Sequence, residues 1–333
     1  MTETNGNSIR PTTSTLTWAN HWDHFLARWA INRMGHRIEP GLYALGSPTP
    51  DSPVFVTANY TLSFDALRSA LSGIHGYILV LDTRGINVWC AAGKGTFGTD
   101  ELVHRIEATA LSNVVNHRVL IVPQLGAPGI AAHQVRKRSG FKVEYGPVRA
   151  ADLPAYLKTH EATPEMRRVQ FPLRDRLVLV PVELVAALLP MLIVAIVAFF
   201  VGGPWASAAT VAAILAGTVL FPVLLPWLPT HVFSGKGFLL GGIVALPFAL
   251  AAFLGNLDAA LWMRVLSALT YLLVLPPITA FLSLNFTGAT TFTSRSGVRR
   301  EIFAYIPMMA WMFGGGIVLT IALTAIRIEG GLL

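Results

Sequence analysis

The sequence has little charge and almost no cysteine. Only 13% of its 333 residues are Asp, Glu, Lys or Arg, and 53% are hydrophobic. An ordinary soluble domain is roughly 25% charged. So few ions cannot give a globule of this size a water-compatible surface, and part of the chain is expected to face lipid. The single cysteine, Cys90, excludes an intramolecular disulfide framework. It also excludes a Cys₂His₂ zinc site and an iron–sulfur cluster built by this chain alone. The phosphate-loop frame G-x-x-x-x-G-K-[ST] is missing, because Lys94 is followed by Gly95. Residues 1–20 lack the apolar core of a secretory signal peptide. No nucleic-acid-binding motif accompanies the pI near 9.9, so no nucleic-acid partner is expected.

The apolar excess is uneven. Residues 1–176 hold 19 Lys and Arg and 14 Asp and Glu, whereas residues 177–333 hold 6 and 4. Five apolar runs in the second half, about 178–201, 205–228, 238–254, 260–282 and 303–326, approach or reach the roughly 20 residues that cross a bilayer. Basic residues mark alternate loops. Arg167, Arg168, Arg174 and Arg176 precede the first run, Lys236 lies between the second and third, and Arg295, Arg299 and Arg300 precede the fifth. The loops near Gly202 and Asn256 carry no Lys or Arg. The bias of positive charge toward the cytoplasmic side then predicts a multi-pass protein of the cytoplasmic (inner) membrane. Its N-terminal half is expected in the cytosol and its C-terminus outside. Ionisable residues in the runs are few, Glu183 and Arg264 near run ends, which argues for an anchor over a transport path. The hydroxyl-rich loop 285–297 is either a polar connector or a docking segment.

Strands and helices alternate in the first half. Strands are expected at 53–58 (PVFVTA), 77–82 (YILVLD), 119–122 and 142–145, with helices at 64–71, 99–110, 130–138 and 151–160. Such alternation predicts a Rossmann-like α/β fold with a parallel sheet and helices on both faces. Ligands bind beyond the carboxyl ends of such strands. The expected organisation is an amphipathic lead-in over 1–45, an α/β domain over 46–165, a basic linker over 166–177 and an all-α membrane domain of about five helices over 178–333. The aromatic stretch of the lead-in, with Trp18, Trp22, Phe25 and Trp29, is expected to pack on the domain as an amphipathic helix.

Cys90 follows the second of these strands. On its residues alone it has four readings: a small buried apolar side chain, part of a phosphate loop, a nucleophile served by His75, His104, His117 or His133, or a soft metal ligand.

Residues 87–99 (NVWCAAGKGTFGT) resemble the signature of the mercury-methylating corrinoid protein family. The corrinoid domain of that family is similar to that of the corrinoid iron–sulfur protein of acetyl-CoA synthesis. The resemblance runs from about residue 53 (PVFVTANYTLSFDALR) to about residue 168 (ATPEMRRV), and the five-run C-terminal half fits it too. It implies a cobalt corrinoid with Cys90 as lower axial ligand, and no iron–sulfur cluster in this chain. Asn87, Val88, Trp89, Cys90, Ala91, Ala92, Gly93, Lys94 and Gly95 would form a cap helix beside the ring. Thr57, Asn59, Asp82, Thr83, Gln124, Gly126 and Gly146, at the strand ends, would complete the cofactor contacts. The implied activity is a corrinoid-dependent methyltransferase passing a methyl group to Hg(II). Its implied partners are a methyltetrahydrofolate-type donor, a ferredoxin-like electron donor with two [4Fe–4S] clusters, and membrane lipid. A thiolate opposite the methyl group would push electron density toward it and ease its departure to an electrophile. The D-x-H-x-x-G pattern of His-ligated corrinoid proteins is absent. The alternatives are a membrane-tethered corrinoid methyl carrier for another acceptor, and a transporter or receptor with a nucleotide-binding α/β domain.

Overall fold

The computed structural model describes residues 9–329 apart from residues 33, 256, 289 and 291–294. The chain divides into two compact units, Met1–Gln170 and Phe171–Leu333. The first contains β1 (Arg10–Thr12), α1 (Trp18–Arg28), β2 (Gly41–Leu45), β3 (Val54–Ala58), α2 (Thr61–Ala70), β4 (Gly76–Leu81), α3 (Val88–Lys94), α4 (Thr99–Ala108), β5 (Val119–Val122), α5 (Ala132–Ser139), β6 (Lys142–Tyr145) and α6 (Leu153–Thr159).

The strands form one six-stranded sheet in the order β1-β2-β4-β3-β5-β6. The four strands from β4 to β6 are parallel, as the alternating pattern requires. The expectation of a wholly parallel sheet needs correction, because β2 runs antiparallel to β4 and carries β1 in parallel on its outer edge. Residues 10–45 therefore supply two strands as well as the expected helix.

The alternation of side chains along each strand builds two cores. Val54, Val56, Ala58, Leu79, Leu81, Leu120 and Val122 point to one face and pack with α3, α4 and α5 through Val88, Ala91, Ala92, Leu102, Ile106 and Val135. Phe55, Ile78, Val80 and Ile121 point to the other face, against Phe64 and Leu67 of α2 and Leu153 and Tyr156 of α6. Both faces of the central strands are covered, which is why β3 and β4 are buried along their whole length.

Polar ties fix the N-terminal segment. Asp65, 1% exposed, accepts from Arg68 Nε at 2.6 Å and pairs with His24 Nε2 at 2.8 Å. Arg68 Nη1 donates to the carbonyls of Thr13 and Thr15, each at 2.7 Å. His36 bridges Asp23 and the Ile31 carbonyl. Buried charges are tolerated when paired in this way.

At the other edge, Lys142 donates to Glu144 at 2.8 Å and His160 pairs with the same carboxylate at 3.4 Å. The Lys142 hydrogen bond, opposed by burial, holds the Glu144 carboxyl below its ordinary pKa. A carboxyl depressed on folding stabilises above its unfolded pKa, and that contribution is lost as pH falls through the folded value. Glu144→Gln is therefore expected to lower the urea midpoint at neutral pH. The variant and the wild type should converge as pH falls below the carboxylate range.

The second unit holds α7 (Leu173–Leu177), α8 (Val180–Leu215), α9 (Phe221–Leu224), α10 (Phe233–Leu254), α11 (Leu261–Ser283) and α12 (Arg295–Glu329). A π-helical turn, Ala216–Leu220, joins α8 to α9. Among the described residues, four helical stretches are long and apolar enough to cross a membrane: Leu173–Leu224, Phe233–Leu254, Leu261–Phe286 and Ser296–Glu329. The first merges two of the five expected runs. Its backbone breaks at Gly203 (φ 73°, ψ −171°), next to Pro204, and its 52 residues far exceed one roughly 20-residue crossing.

Several charges of this unit have polar partners. Arg176 donates to the carbonyls of Pro222 and Val223 and stacks on Trp227. Lys236 donates to Leu225 and Leu228 carbonyls. Buried Glu301 accepts from the backbone N–H of Ser234, and Glu183 accepts from Asn285. Of the loop 285–297, residues 289 and 291–294 lie outside the described residues, as does residue 256 of the expected outer loop.

Candidate functional site

The site is built on α3. The helix starts at Asn87, whose Oδ1 accepts from the Cys90 backbone N–H at 2.9 Å, satisfying one of the donors a helix start leaves open. It ends at Gly95, in the left-handed conformation with φ 86°, which a glycine adopts without strain. Val88, Ala91 and Ala92, spaced as one helical face, are buried against the sheet. Cys90 lies off that face, half-buried, with a free thiol. Trp89 and Gly93 are half-buried and Lys94 and Gly95 exposed.

The loop before α3 is organised by Asn59 at the carboxyl end of β3. Asn59 is 3% exposed. Its Oδ1 accepts from the backbone N–H groups of Thr83 and Gly85, both at 2.9 Å, and its Nδ2 donates to Asp82 Oδ1 at 3.1 Å. The Thr83 hydroxyl donates to the Ile86 carbonyl at 2.6 Å. The Asp82 carboxylate also accepts from the Arg84 N–H, where the chain turns left-handed with φ 59°. The Asp82 N–H donates to Glu101 Oε1, which a bond from Arg105 holds in turn. The ends of β3 and β4 and the start of α4 thereby fix where α3 begins.

The loop after α3 is fixed by close packing. Phe97 is fully buried, and its N–H donates to the Ala91 carbonyl. Gly126 and Gly129, in the loop after β5, lie directly against it. A Cβ on Gly126 would fall 2.4 Å from the Phe97 ring, and one on Gly129 would fall 2.1 Å from the Phe97 carbonyl oxygen. Gly129→Ala is expected to destabilise the unit by about 2 kcal/mol through this overpacking, read as a lower urea midpoint at unchanged slope. Tyr145 completes the wall: its hydroxyl donates to the Ile130 carbonyl at 2.6 Å, and burial pushes its phenol pKa up.

The residues expected at the site fall into groups. Residues 87–95 form one helix and its caps, while Asn59, Asp82 and Thr83 form the connected network before it. Gly126 packs under the loop that follows it. Gln124 is half-buried, with its side chain 3.5 Å from Arg167 Nη1. Gly146 is buried, and a Cβ there would meet Ile121 at 3.1 Å, so it serves close packing. Thr57 alternates with Val56 and Ala58 and points with Phe55 to the opposite face of the sheet from α3. The expected histidine bases are engaged elsewhere or exposed. His75 accepts from the Ser47 N–H, His117 meets the Ser52 carbonyl, and His104 and His133 are exposed.

Sequence reasoning passed over residues 37–40. Arg37, Ile38, Glu39 and Pro40 line, with Asn59 and Asp82, an open depression of about 350 Å³. These residues lie before β2, far in sequence from the strand ends they border, and Pro40 was their one local signal.

The arrangement offers one unpartnered thiol on a short, rigidly placed helix at the carboxyl ends of a parallel sheet. Nearby, the enclosed Thr96 hydroxyl has no hydrogen-bond partner. Among the described residues no group of three or more His, Cys, Asp or Glu is placed to hold a metal ion. The one soft donor that this helix presents is the Cys90 thiol.

Residues 30–157 match the family model described as CO dehydrogenase/acetyl-CoA synthase delta subunit. The chain is 36% identical over 124 residues to the acetyl-CoA decarbonylase/synthase complex subunit gamma of Archaeoglobus fulgidus, covering 37% of this chain and 26% of that protein. The subunit gamma of Methanopyrus kandleri is 34% identical over 128 residues, covering 38% and 27%. That of Methanothermobacter thermautotrophicus is 30% identical over 127 residues, covering 38% and 27%. The chain thus spans about a quarter of the length of these relatives, and the family match at 30–157 lies within the α/β unit. These similarities correct the expectation of a mercury-methylating family member and, with it, of a methyltransferase acting on Hg(II) to give methylmercury. They equally correct the expected ferredoxin-like electron donor and methyltetrahydrofolate-type donor, since the relatives are named as subunits of a complex. The physical reason is that the motif at 87–99 specifies a capped helix with a thiol and the close packing around it. No residue in it specifies what accepts a group delivered there.

Proposed function

We propose that the α/β unit binds a corrinoid and serves as a methyl carrier in chemistry of the acetyl-CoA decarbonylase/synthase kind. The observation that carries this reading is the free, half-buried Cys90 thiol on a helix fixed at both ends. The similarity of residues 30–157 to that family supports it. A corrinoid supplies a cobalt centre able to accept and release a methyl group.

The chain's own residues have distinct parts. Cys90 would hold the cofactor's metal through its sulfur, a soft ligand. Asn87 fixes where the thiol stands by capping the turn that carries it. Val88, Ala91 and Ala92 seat the helix, and their small size keeps the backbone near the sheet. Asn59, Asp82 and Thr83 hold the approach loop in one conformation, so the ligand is preorganised when the cofactor arrives. Thr96, whose enclosed hydroxyl has no hydrogen-bond partner, would be available to a polar group of the bound cofactor. Other subunits are expected to deliver and collect the methyl group, because the relatives are named as subunits of a complex. We further propose that the second unit crosses the cytoplasmic membrane, with five crossings if Gly203 marks a turn between two of them, and that the α/β unit lies in the cytosol. The long apolar helices and the alternating basic loops support this.

Purified full chain from a corrinoid-supplied host tests the reading. One cobalt per chain with a corrin absorption spectrum is expected. Cobalt-free protein that retains a nucleotide instead would favour a nucleotide-binding receptor or transporter.

A further inference from the structure

We infer that the exposed aromatic face of α1 is a membrane-contacting surface that lies in the headgroup region of an anionic bilayer. Along this helix Trp18, Trp22 and Phe25 fall on one side and are 81%, 54% and 44% exposed. Trp22 and Phe25 stack at 5.3 Å, and Phe25 continues to Trp29 at 5.8 Å, so the rings form one continuous strip. Ile31 and Met34, both exposed, extend it past the helix end. The opposite side of the segment is tied down by Asp65, Arg68 and His36. The strip is therefore presented outward by a rigid base and has no route into the core.

Three observations choose lipid over a protein groove. The strip is made chiefly of indole and phenyl rings, which prefer the level of the headgroups, where an apolar ring and a polar N–H are both satisfied. The segment from Ile9 to Glu39 carries Arg10, Arg28, Arg33 and Arg37 against Asp23 and Glu39, and these two acids are occupied by His36 and Arg10. A basic segment of this kind is drawn to anionic headgroups. Finally, the described residues of the same chain include four long apolar helical stretches, so a bilayer is held within reach. At 11 residues the helix is about 16 Å long, enough to lie in the interface and too short to cross it. This inference rests on the reading that the second unit is embedded in a membrane.

The test uses the full chain in nanodiscs containing anionic lipid. Cys90→Ser removes the native thiol, and single nitroxide labels are placed at His21→Cys beside the strip, His104→Cys on exposed α4, and Leu269→Cys within α11. His21 and His104 are exposed, so labelling leaves all four rings intact. Collision with oxygen, which concentrates in lipid, is compared with collision with a water-soluble nickel complex. The expected result is a several-fold higher oxygen-to-nickel ratio at position 21 than at 104, returning to the value at 104 when Trp22→Glu is added. A position-21 ratio equal to that at 104, with 269 reading lipid, overturns the inference and leaves the membrane reading standing. Exclusion of both reagents from position 21, the signature of a protein partner or a second copy, also overturns it. Water-like ratios at both 21 and 269 overturn the inference and the membrane reading together.

Discussion

Replacing Cys90 with alanine is expected to lower methyl transfer by at least about 100-fold, beyond the 10–100-fold effect of removing a group one shell away from a metal. The chain should stay folded. Cys90 is half-buried and lies off the face through which α3 packs. Losing its sulfur is therefore expected to change stability by no more than about 0.5 kcal/mol, or about 2 °C in Tm. The combination of large functional loss and unchanged melting separates a ligand from a packing residue. Cys90→Ser, which keeps a polar atom but replaces a soft sulfur with a hard oxygen, should not restore transfer. Full transfer by the alanine variant would remove Cys90 from the site.

Asn59→Ala is expected to have the opposite profile, a large loss of stability. Asn59 is buried, and its side chain accepts from two loop N–H groups and donates to Asp82. Alanine leaves those donors without their acceptor, and each buried unpaired group costs roughly 1–3 kcal/mol. A total near 3 kcal/mol corresponds to a fall in Tm of about 6–12 °C for a unit of this size. Because the same bonds place the start of α3, cofactor retention should fall as well, even well below the new Tm. Asn59→Asp sharpens the test. It keeps an acceptor for the two N–H groups but sets a second carboxylate against Asp82. Like charges raise the pKa of the pair on folding. A carboxyl raised on folding stabilises at low pH and loses that contribution as pH rises through the folded value. Thermal melts of Asn59→Asp should therefore recover toward wild type as pH falls into the carboxylate range, whereas Asn59→Ala stays low throughout.

These two residues also mark what the sequence could and could not disclose. The strands β3 to β6 are legible because each is a short run bounded by turn residues, and β3 and β4 are apolar and buried on both faces. The strands β1 and β2 were not. β1 is Arg-Pro-Thr, with no apolar residue to signal it, and β2 is five residues long. β2 pairs with β4 and β1 with β2, and antiparallel pairing of β2 has no local signature. Cys90 stood out because it is the only thiol and sits among small residues. Asn59 was visible as a strand-end position, but its role as the organiser of residues 82–86 comes from bonds spanning more than twenty residues. Thr57 shows the limit of reasoning by position, because a one-residue offset along a strand turns a side chain to the other face. The Hg(II) acceptor and the electron-donor and methyl-donor partners were inferred from a motif that encodes only a capped helix and its packing, and those inferences were overturned.

Cobalt-edge X-ray absorption on the purified full chain, wild type beside Cys90→Ala, bears most directly on the Cys90–corrinoid assignment. One sulfur neighbour at cobalt in the wild type, replaced by a nitrogen or oxygen neighbour in the variant, is the expected result. Identical cobalt environments in the two proteins, or a wild-type chain that binds no cobalt, would contradict it.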